Sequence, residues 1–401
     1  KTVVAAAAAQ VAIRNGYQVA VAAPTEILAE QHLQNFQKLF SGLSEPEQPV
    51  VRLLTGTTKK KERARLVEEL STGTIDILVG THALFEDWVT FASLGLVVID
   101  EQHRFGVRQR SVLPARAGEI QPHVLSMTAT PIPRTLNMVL NGDLDVSIID
   151  ELPPGRIPIV TRRFSEMDRQ KSWELVRAEV NDGRQAFVIC PLVEESEALD
   201  AKAAVTEAEF LQREVFPEFT VQALHGRMSG KEKDRIMEAF RAKESDILVS
   251  TSVIEVGIDI PNASIMLIEG ANRFGLAQLH QFRGRIGRGP YQSYCLLLAD
   301  DATPEAEQRL QIMVDSNDGF VLAQKDLELR GPGDFLGTRQ SGLPEMATTI
   351  RWFDTRTLDI ARREAEQILS EDPTMSSDTW RPLRDHAANF WRELAPDLML
   401  S

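Results

Sequence analysis

Short apolar, β-branched runs alternate with longer amphipathic stretches along the chain. That alternation restricts it to an α/β architecture, parallel sheets with helices on both faces. In the first part the spacing predicts strands at Gln18–Ala22, Val50–Leu54, Ile75–Val79, Leu94–Asp100 and His123–Met127. Thr25 followed by EILAEQHLQNFQKLF reads as a capped amphipathic helix, and Lys59–Leu70 as another. The stretch ELPPGRIPIV, with three prolines and a glycine in ten residues, interrupts the rhythm and reads as a connector. A second series follows, with strands expected at Ile159–Arg163, Gln185–Cys190, Thr220–Leu224, Asp246–Ser250, Ala263–Ile268 and Ser293–Leu298.

Length agrees with this division. At 401 residues and 43% hydrophobic content, a prior of roughly 100–200 residues per domain gives two or three domains. The boundaries expected are 1–153, 154–300 and a helical C-terminal region at 301–401, the last interrupted by the Gly-rich RGPGDFLGTRQSG. The two α/β halves in tandem also suggest an old duplication.

Cys190 and Cys295, each inside an apolar run, read as buried thiols in a reducing compartment. No apolar stretch reaches the roughly 18–20 residues that span a bilayer, and the Ala-rich opening lacks a charged leader, so a soluble, cytoplasmic chain is expected. The opening runs from Lys1-Thr2 straight into VVAAAAAQVAI, a pattern suited to a buried helix. So abrupt a start predicts a fragment of a longer polypeptide.

Lys-Thr followed by a helix is what remains of a phosphate-binding loop, G-x-x-x-x-G-K-T, cut just before its lysine. Downstream, LGLVVIDEQH ends an apolar strand in two carboxylates. In a nucleotide-binding sheet Asp100 would coordinate Mg2+ through water and Glu101 would polarise the attacking water. Lys1 would then pair with the β- and γ-phosphates of ATP, and the Thr2 hydroxyl would complete the metal shell. Ser126-Met127-Thr128-Ala129-Thr130 offers hydroxyls at another strand end; alone, it also reads as a self-satisfied turn. In QLHQFRGRIGRG, Arg283, Arg285 and Arg288 stand among glycines where a helix ends, so planar guanidiniums would reach across a cleft to a triphosphate.

Nucleic acid is the partner these turns suggest, and composition argues the other way. The formal charge is −14, with 44 Lys+Arg against 58 Asp+Glu, so basic side chains would have to concentrate in one groove. Strand-to-helix turns at Thr25, at Thr55-Gly56, at Thr81-His82 and at His225-Gly226-Arg227 suit DNA phosphates. Each also reads as a plain helix cap. Lys59-Lys60-Lys61 reads as a solvated helix face.

Taken together, these motifs resemble those of the superfamily-two DNA translocases along essentially the whole chain. Within that group IDEQHRFGVRQR, SMTATPIPRTL, DELPPGRIPI, ANRFGLAQLHQFRGRIGRG and DGFVLAQKDLELRGPGDFLGTRQSG are similar to the RecG family. The transcription-repair coupling factors share several of these elements but have DEEQRFGV where this chain has DEQHRFGV, and lack the LPPGR connector. The resemblance implies two tandem RecA-like domains and ATP-driven movement on branched DNA, that is, stalled forks and Holliday junctions, in recombination and repair in the bacterial, nucleoid-associated cytoplasm. It implies arginine-finger roles for Arg285 and Arg288, and nucleotide contacts at Gln102, Gly257, Asp259 and Gln281. His103, Thr128 and Thr130 would link hydrolysis to DNA. A C-terminal translocation motif would couple through Arg330, Arg339 and Gln340, with Gly331, Gly333, Gly337 and Ser341. It further implies a preceding wedge domain, absent from this sequence. Two rival readings are a duplex translocase of the coupling-factor type and a DNA-binding module that does not hydrolyse ATP.

Overall fold

The structure, a computed structural model, describes residues 1–102, 105, 121–128, 144–151, 155–191, 197–251, 260–300, 303–330 and 355–394. Strands β1 (Gln18–Ala22), β2 (Val51–Leu54), β3 (Ile77–Gly80), β4 (Leu94–Asp100) and β5 (His123–Met127) form one sheet, ordered β2-β3-β1-β4-β5. Strands β6 (Val160–Phe164), β7 (Gln185–Ile189), β8 (Val221–Leu224), β9 (Ile247–Ser250), β10 (Ala263–Ile268) and β11 (Tyr294–Leu298) form a second, ordered β6-β11-β10-β7-β9-β8. Every pairing in both is parallel.

All the expected strands are present, with ends displaced by at most two residues. The largest displacement is at β3, which begins at Ile77 rather than Ile75. Asp76 lies in the bend before β3: its carboxylate accepts the Val50 N–H at 2.7 Å, and its own N–H donates to the Val50 carbonyl.

Helices cover both faces of each sheet. In the first half these are α1 (Thr2–Arg14), α2 (Glu26–Phe40) and α3 (Lys60–Ser71). Val19, Val21, Ile77, Val79 and Val98 pack on one face with α1 and α2. Their strand neighbours Ala20, Ala22, Leu78, Val97 and Ile99 pack on the other with α3. The expectation of a buried α1 holds on the side that meets the sheet and not on the other. Ala5, Ala6 and Ala9 face the sheet, while Val3, Val4 and Val11 are 65%, 53% and 64% exposed, since a mostly apolar helix that covers one sheet face still has an outer side.

The second half repeats the scheme. Helices α4 (Arg169–Asn181) and α5 (Glu197–Phe210) lie against the Ala186, Val188, Val249 and Leu267 face. Helices α6 (Gly230–Arg241), α7 (Leu276–Arg283), α8 (Pro304–Asp315) and α9 (Gly319–Arg330) cover the opposite face, on Phe187, Leu248, Met266 and Leu297. Further on come α10 (Thr355–Glu371) and α11 (Arg381–Leu394). Both cysteines are buried and free; burial pushes the Cys295 thiol up to about 12 and Cys190 further. Among the described residues no helix is long and apolar enough to cross a membrane.

The halves share a buried polar staple. Gln18, first residue of β1, donates to Leu70 O and Ile75 O, joining the end of α3 to the approach to β3. Gln185, first residue of β7, donates to Phe240 O and Ser245 O, joining the end of α6 to the approach to β9. Beside them Asp76 accepts from Val50 N and Asp246 from Thr220 N. The matching pattern supports the duplication suggested by the sequence.

Candidate functional site

The topology sorts the expected site residues along one edge of each sheet. In the first half Thr55 follows β2, Thr81 follows β3, Thr25 closes the β1 turn, Asp100 ends β4 and Thr128 follows β5. Suggested DNA contacts therefore occupy the β2-β3-β1 side and suggested nucleotide contacts the β4-β5 side, at the carboxyl ends where open parallel sheets carry ligands.

Asp100 is fixed at both oxygens. Oδ1 accepts the Glu101 N–H at 3.0 Å, and Oδ2 lies 2.8 Å from His32 Nε2. Burial alone would raise its pKa, but the His32 hydrogen bond and charge, helped by Lys1 and the Glu101 N–H, hold the carboxyl below the usual range. Glu101 adopts φ 51°, a left-handed backbone that a non-glycine residue rarely takes. Such conformations cluster where function requires them. This one turns the chain out of β4 while leaving the N–H on Asp100.

Lys1 belongs to the same cluster. Its ammonium donates to the Thr128 carbonyl. Burial lowers its pKa, opposed by the nearby carboxylates of Glu101 and Asp100. Thr2 is the first residue of α1, half-buried beside it. Asp100 offers a carboxylate and Thr2 a hydroxyl, the hard oxygen type that Mg2+ accepts alongside phosphate oxygens and water. Among the described residues no group of three His, Cys, Asp or Glu could hold a metal ion by itself.

In the second half α7 and the turn after it carry the arginines. Arg283 is buried, at 2% exposure, and does not reach for a triphosphate. Its Nη1 donates to Met313 O and Ser316 O, both at 2.8 Å, and to the Thr161 hydroxyl at 3.2 Å. It follows Leu276 by seven positions, the inward repeat of a helix, so its side chain points into the core under α8. Arg285 is half-buried and Arg288 exposed; Arg288 Nε and Nη2 both lie 3.3 Å from Gly284 O. Gln281 is half-buried on α7.

Two glycines of this segment are geometrically required. Gly287 has φ +73°, and a Cβ on Gly289 would stand 2.3 Å from Pro261 O. The turn is thus pressed onto the backbone that leads into β10.

Among the proposed DNA-contact turns, Thr25 caps α2 by accepting the Leu28 N–H at 3.3 Å. Glu26 accepts from Thr57 N and Thr57 Oγ1, tying this turn to the one containing Thr55 and Gly56. Thr81 is buried, and His82, Gly226 and Arg227 are exposed. Gln102 is half-buried just after the acidic pair. His103, Thr130, Gly257, Asp259, Arg339, Gln340 and the side chain of Arg330 lie outside the described residues, as do residues 331–354.

Comparison with known proteins matches three family descriptions in order. Residues 1–139 match the DEAD/DEAH box helicase, 169–290 the helicase conserved C-terminal domain, and 316–393 the C-terminal part of domain 3 of ATP-dependent DNA helicase RecG. The chain is 54% identical over 377 residues to the ATP-dependent DNA helicase RecG of Synechocystis sp., covering 94% of this chain and 45% of that protein. It is 48% identical over 396 residues to the RecG of Escherichia coli O157:H7, covering 97% and 56%. The chain belongs to the RecG family. It spans about half the length of the curated RecG relatives it matches. A solved structure of RecG bound to a three-way DNA junction is 41% identical, with TM-score 0.72, over 90% of this chain and 45% of that one. The Mycobacterium smegmatis helicase Lhr, 18% identical with TM-score 0.53, shares the fold.

Two residues that the motif reading did not single out for these positions now stand beside the RecG-family motifs. His32 touches Asp100 of the acidic pair, and Arg283 joins α7 to the end of α8 and to β6. In each case one signal was available in the sequence, a polar residue on the apolar stripe of an amphipathic helix.

Proposed function

We propose that this chain is the ATP-hydrolysing motor of a DNA translocase that acts on branched DNA, forks and Holliday junctions, in bacterial recombination and repair. Its units would be a nucleotide-binding half at 1–153, a second half at 154–300 and a helical C-terminal coupling region at 301–401. The observation that carries the reading is the convergence of Lys1, Asp100, Glu101 and Thr128 at the carboxyl ends of β4 and β5. The family relationship supports it, as does the RecG structure bound to a three-way junction.

In this reading the ATP phosphates lie at the N-terminus of α1, where the main-chain N–H groups and Lys1 meet their charge. Asp100, through water, and the Thr2 hydroxyl would hold Mg2+, which would neutralise charge on the phosphate oxygens. Glu101 polarises the attacking water. Arg285 and Arg288 come from the other half and stabilise the charge that develops on the phosphoryl group. Gln102, Gln281, Gly257 and Asp259 contact the nucleotide. Because the two sets belong to different halves, hydrolysis requires closure, and closure is the movement.

The turns at Thr25, Thr55-Gly56, Thr81-His82 and Gly226-Arg227 hold the DNA backbone. His103, Thr128 and Thr130 report the nucleotide state to them, and Arg330, Arg339 and Gln340 carry it to the C-terminal region. The test is phosphate release by the full-length polypeptide without DNA, with linear duplex and with a three-way junction. Strong stimulation by the junction is expected. Release that ignores DNA altogether would exclude a translocase motor.

A further inference from the structure

His32 lies in the middle of α2, on the face formed by Ala29, Phe36 and Phe40, where the helix packs on the first sheet. Every other member of that buried set is apolar. His32 is 6% exposed, and its ring centroid is 6.4 Å from that of Phe36. From this apolar setting Nε2 reaches Asp100 Oδ2 at 2.8 Å. The Asp100 carboxylate accepts only, so Nε2 carries the proton. Among the described residues Nδ1 is buried with no hydrogen-bond partner, and the ring's one hydrogen bond there is the one with Asp100.

The consequence for Asp100 is orientational. One oxygen is held by the Glu101 N–H and the other by His32, so the carboxylate plane is fixed before any ligand arrives. Each oxygen keeps a second lone-pair direction. A long helix anchored by Phe36 and Phe40, both buried, supplies the rigidity.

We infer that His32 is a positioning residue for the nucleotide-bound metal, acting through Asp100 from α2. This rests on the nucleotide-site reading given above. Outer contacts of this kind govern how well a carboxylate presents itself to a metal, and losing one typically costs roughly 10–100-fold in metal affinity or activity. A histidine that merely filled the core would affect stability alone.

The test compares His32→Ala and His32→Gln in the full-length polypeptide. The amide of glutamine can still donate to Asp100; alanine cannot. Two quantities are read: the Mg2+ concentration for half-maximal phosphate release, and Mn2+ affinity by electron paramagnetic resonance with a non-hydrolysable ATP analogue. The alanine variant is expected to weaken both by about 10–100-fold, and the glutamine variant to recover most of the loss. Wild-type metal dependence and Mn2+ affinity in a folded alanine variant overturn the proposal. So does a glutamine variant no better than alanine. If alanine does not fold, His32→Leu keeps the apolar face of α2 and serves in its place. Asp100→Asn separates the two layers: if it hydrolyses ATP as the wild type does, the nucleotide-site reading itself fails. If it is inactive while the alanine variant binds metal normally, only the role of His32 fails.

Discussion

Arg283 donates to the main-chain oxygen of Met313, 30 residues further along the chain, at 2.8 Å. With Ser316 O and the Thr161 hydroxyl, this one guanidinium joins α7, the end of α8 and the edge strand β6. Burial lowers its pKa, and its neutral hydrogen-bond acceptors fill the role that a carboxylate would otherwise take. Arg283→Met would leave those buried acceptors unmet, at about 1–3 kcal/mol for each left unsatisfied. A lower urea midpoint is expected, and an unchanged midpoint would show that the contact contributes nothing to stability.

Glu101→Gln keeps size and polarity but removes the charge that, in the proposed site, would polarise water. Hydrolysis is expected to fall by about 10²–10⁴-fold, the range for a lost general base, with ATP binding retained. Stopped-flow phosphate release beside titration with a fluorescent nucleotide measures both. Normal turnover would remove Glu101 from the role of base.

Arg288 lies on Gly284 O at the surface of the second half, and engagement with a triphosphate would exchange that contact for phosphate oxygens. Arg288→Ala is expected to lower DNA-stimulated turnover by roughly 10³–10⁵-fold, as for arginine fingers generally. A near-native rate would exclude a finger role at this position.

A pH dependence follows from Glu269, just beyond β10. Burial, opposed by Arg169 and reinforced by Glu207, moves its carboxyl up to about 7. Both oxygens of Glu269 accept from Arg169 Nη1, at 2.8 and 2.9 Å. The folded value lies above the unfolded one, near 4.3, so the folded state retains a proton that the unfolded state releases. The contribution to stability is complete below the unfolded value and is lost as pH rises through about 7. Glu269→Gln should therefore gain on the wild type between pH 5 and pH 8, by about 1–3 kcal/mol. Parallel unfolding profiles for the two proteins would contradict it.

Much of the fold was legible because buried parallel strands are near-continuous apolar runs bounded by turn residues. Strand ends were less so: Asp76 reads as part of a strand until its side chain is seen to accept from Val50. The motif order gave Lys1, Asp100, Glu101 and Thr128, but only the strand order β1-β4-β5 brings them together. By sequence alone Arg283 resembles its neighbours Arg285 and Arg288, each a guanidinium among glycines. The phase of α7, with Leu276, Leu279, Phe282 and Arg283 inward, separates it from them. His32 follows the same logic on α2, where the stripe of Ala29, Phe36 and Phe40 marks its position as inward.

The glutamine staples have a bearing on how such a chain matures. Gln18 closes its links among residues of the first half, and Gln185 among residues of the second. Neither clasp waits for the other half. Each sheet can therefore lock its own crossover during synthesis, the earlier half settling while the later is still being made.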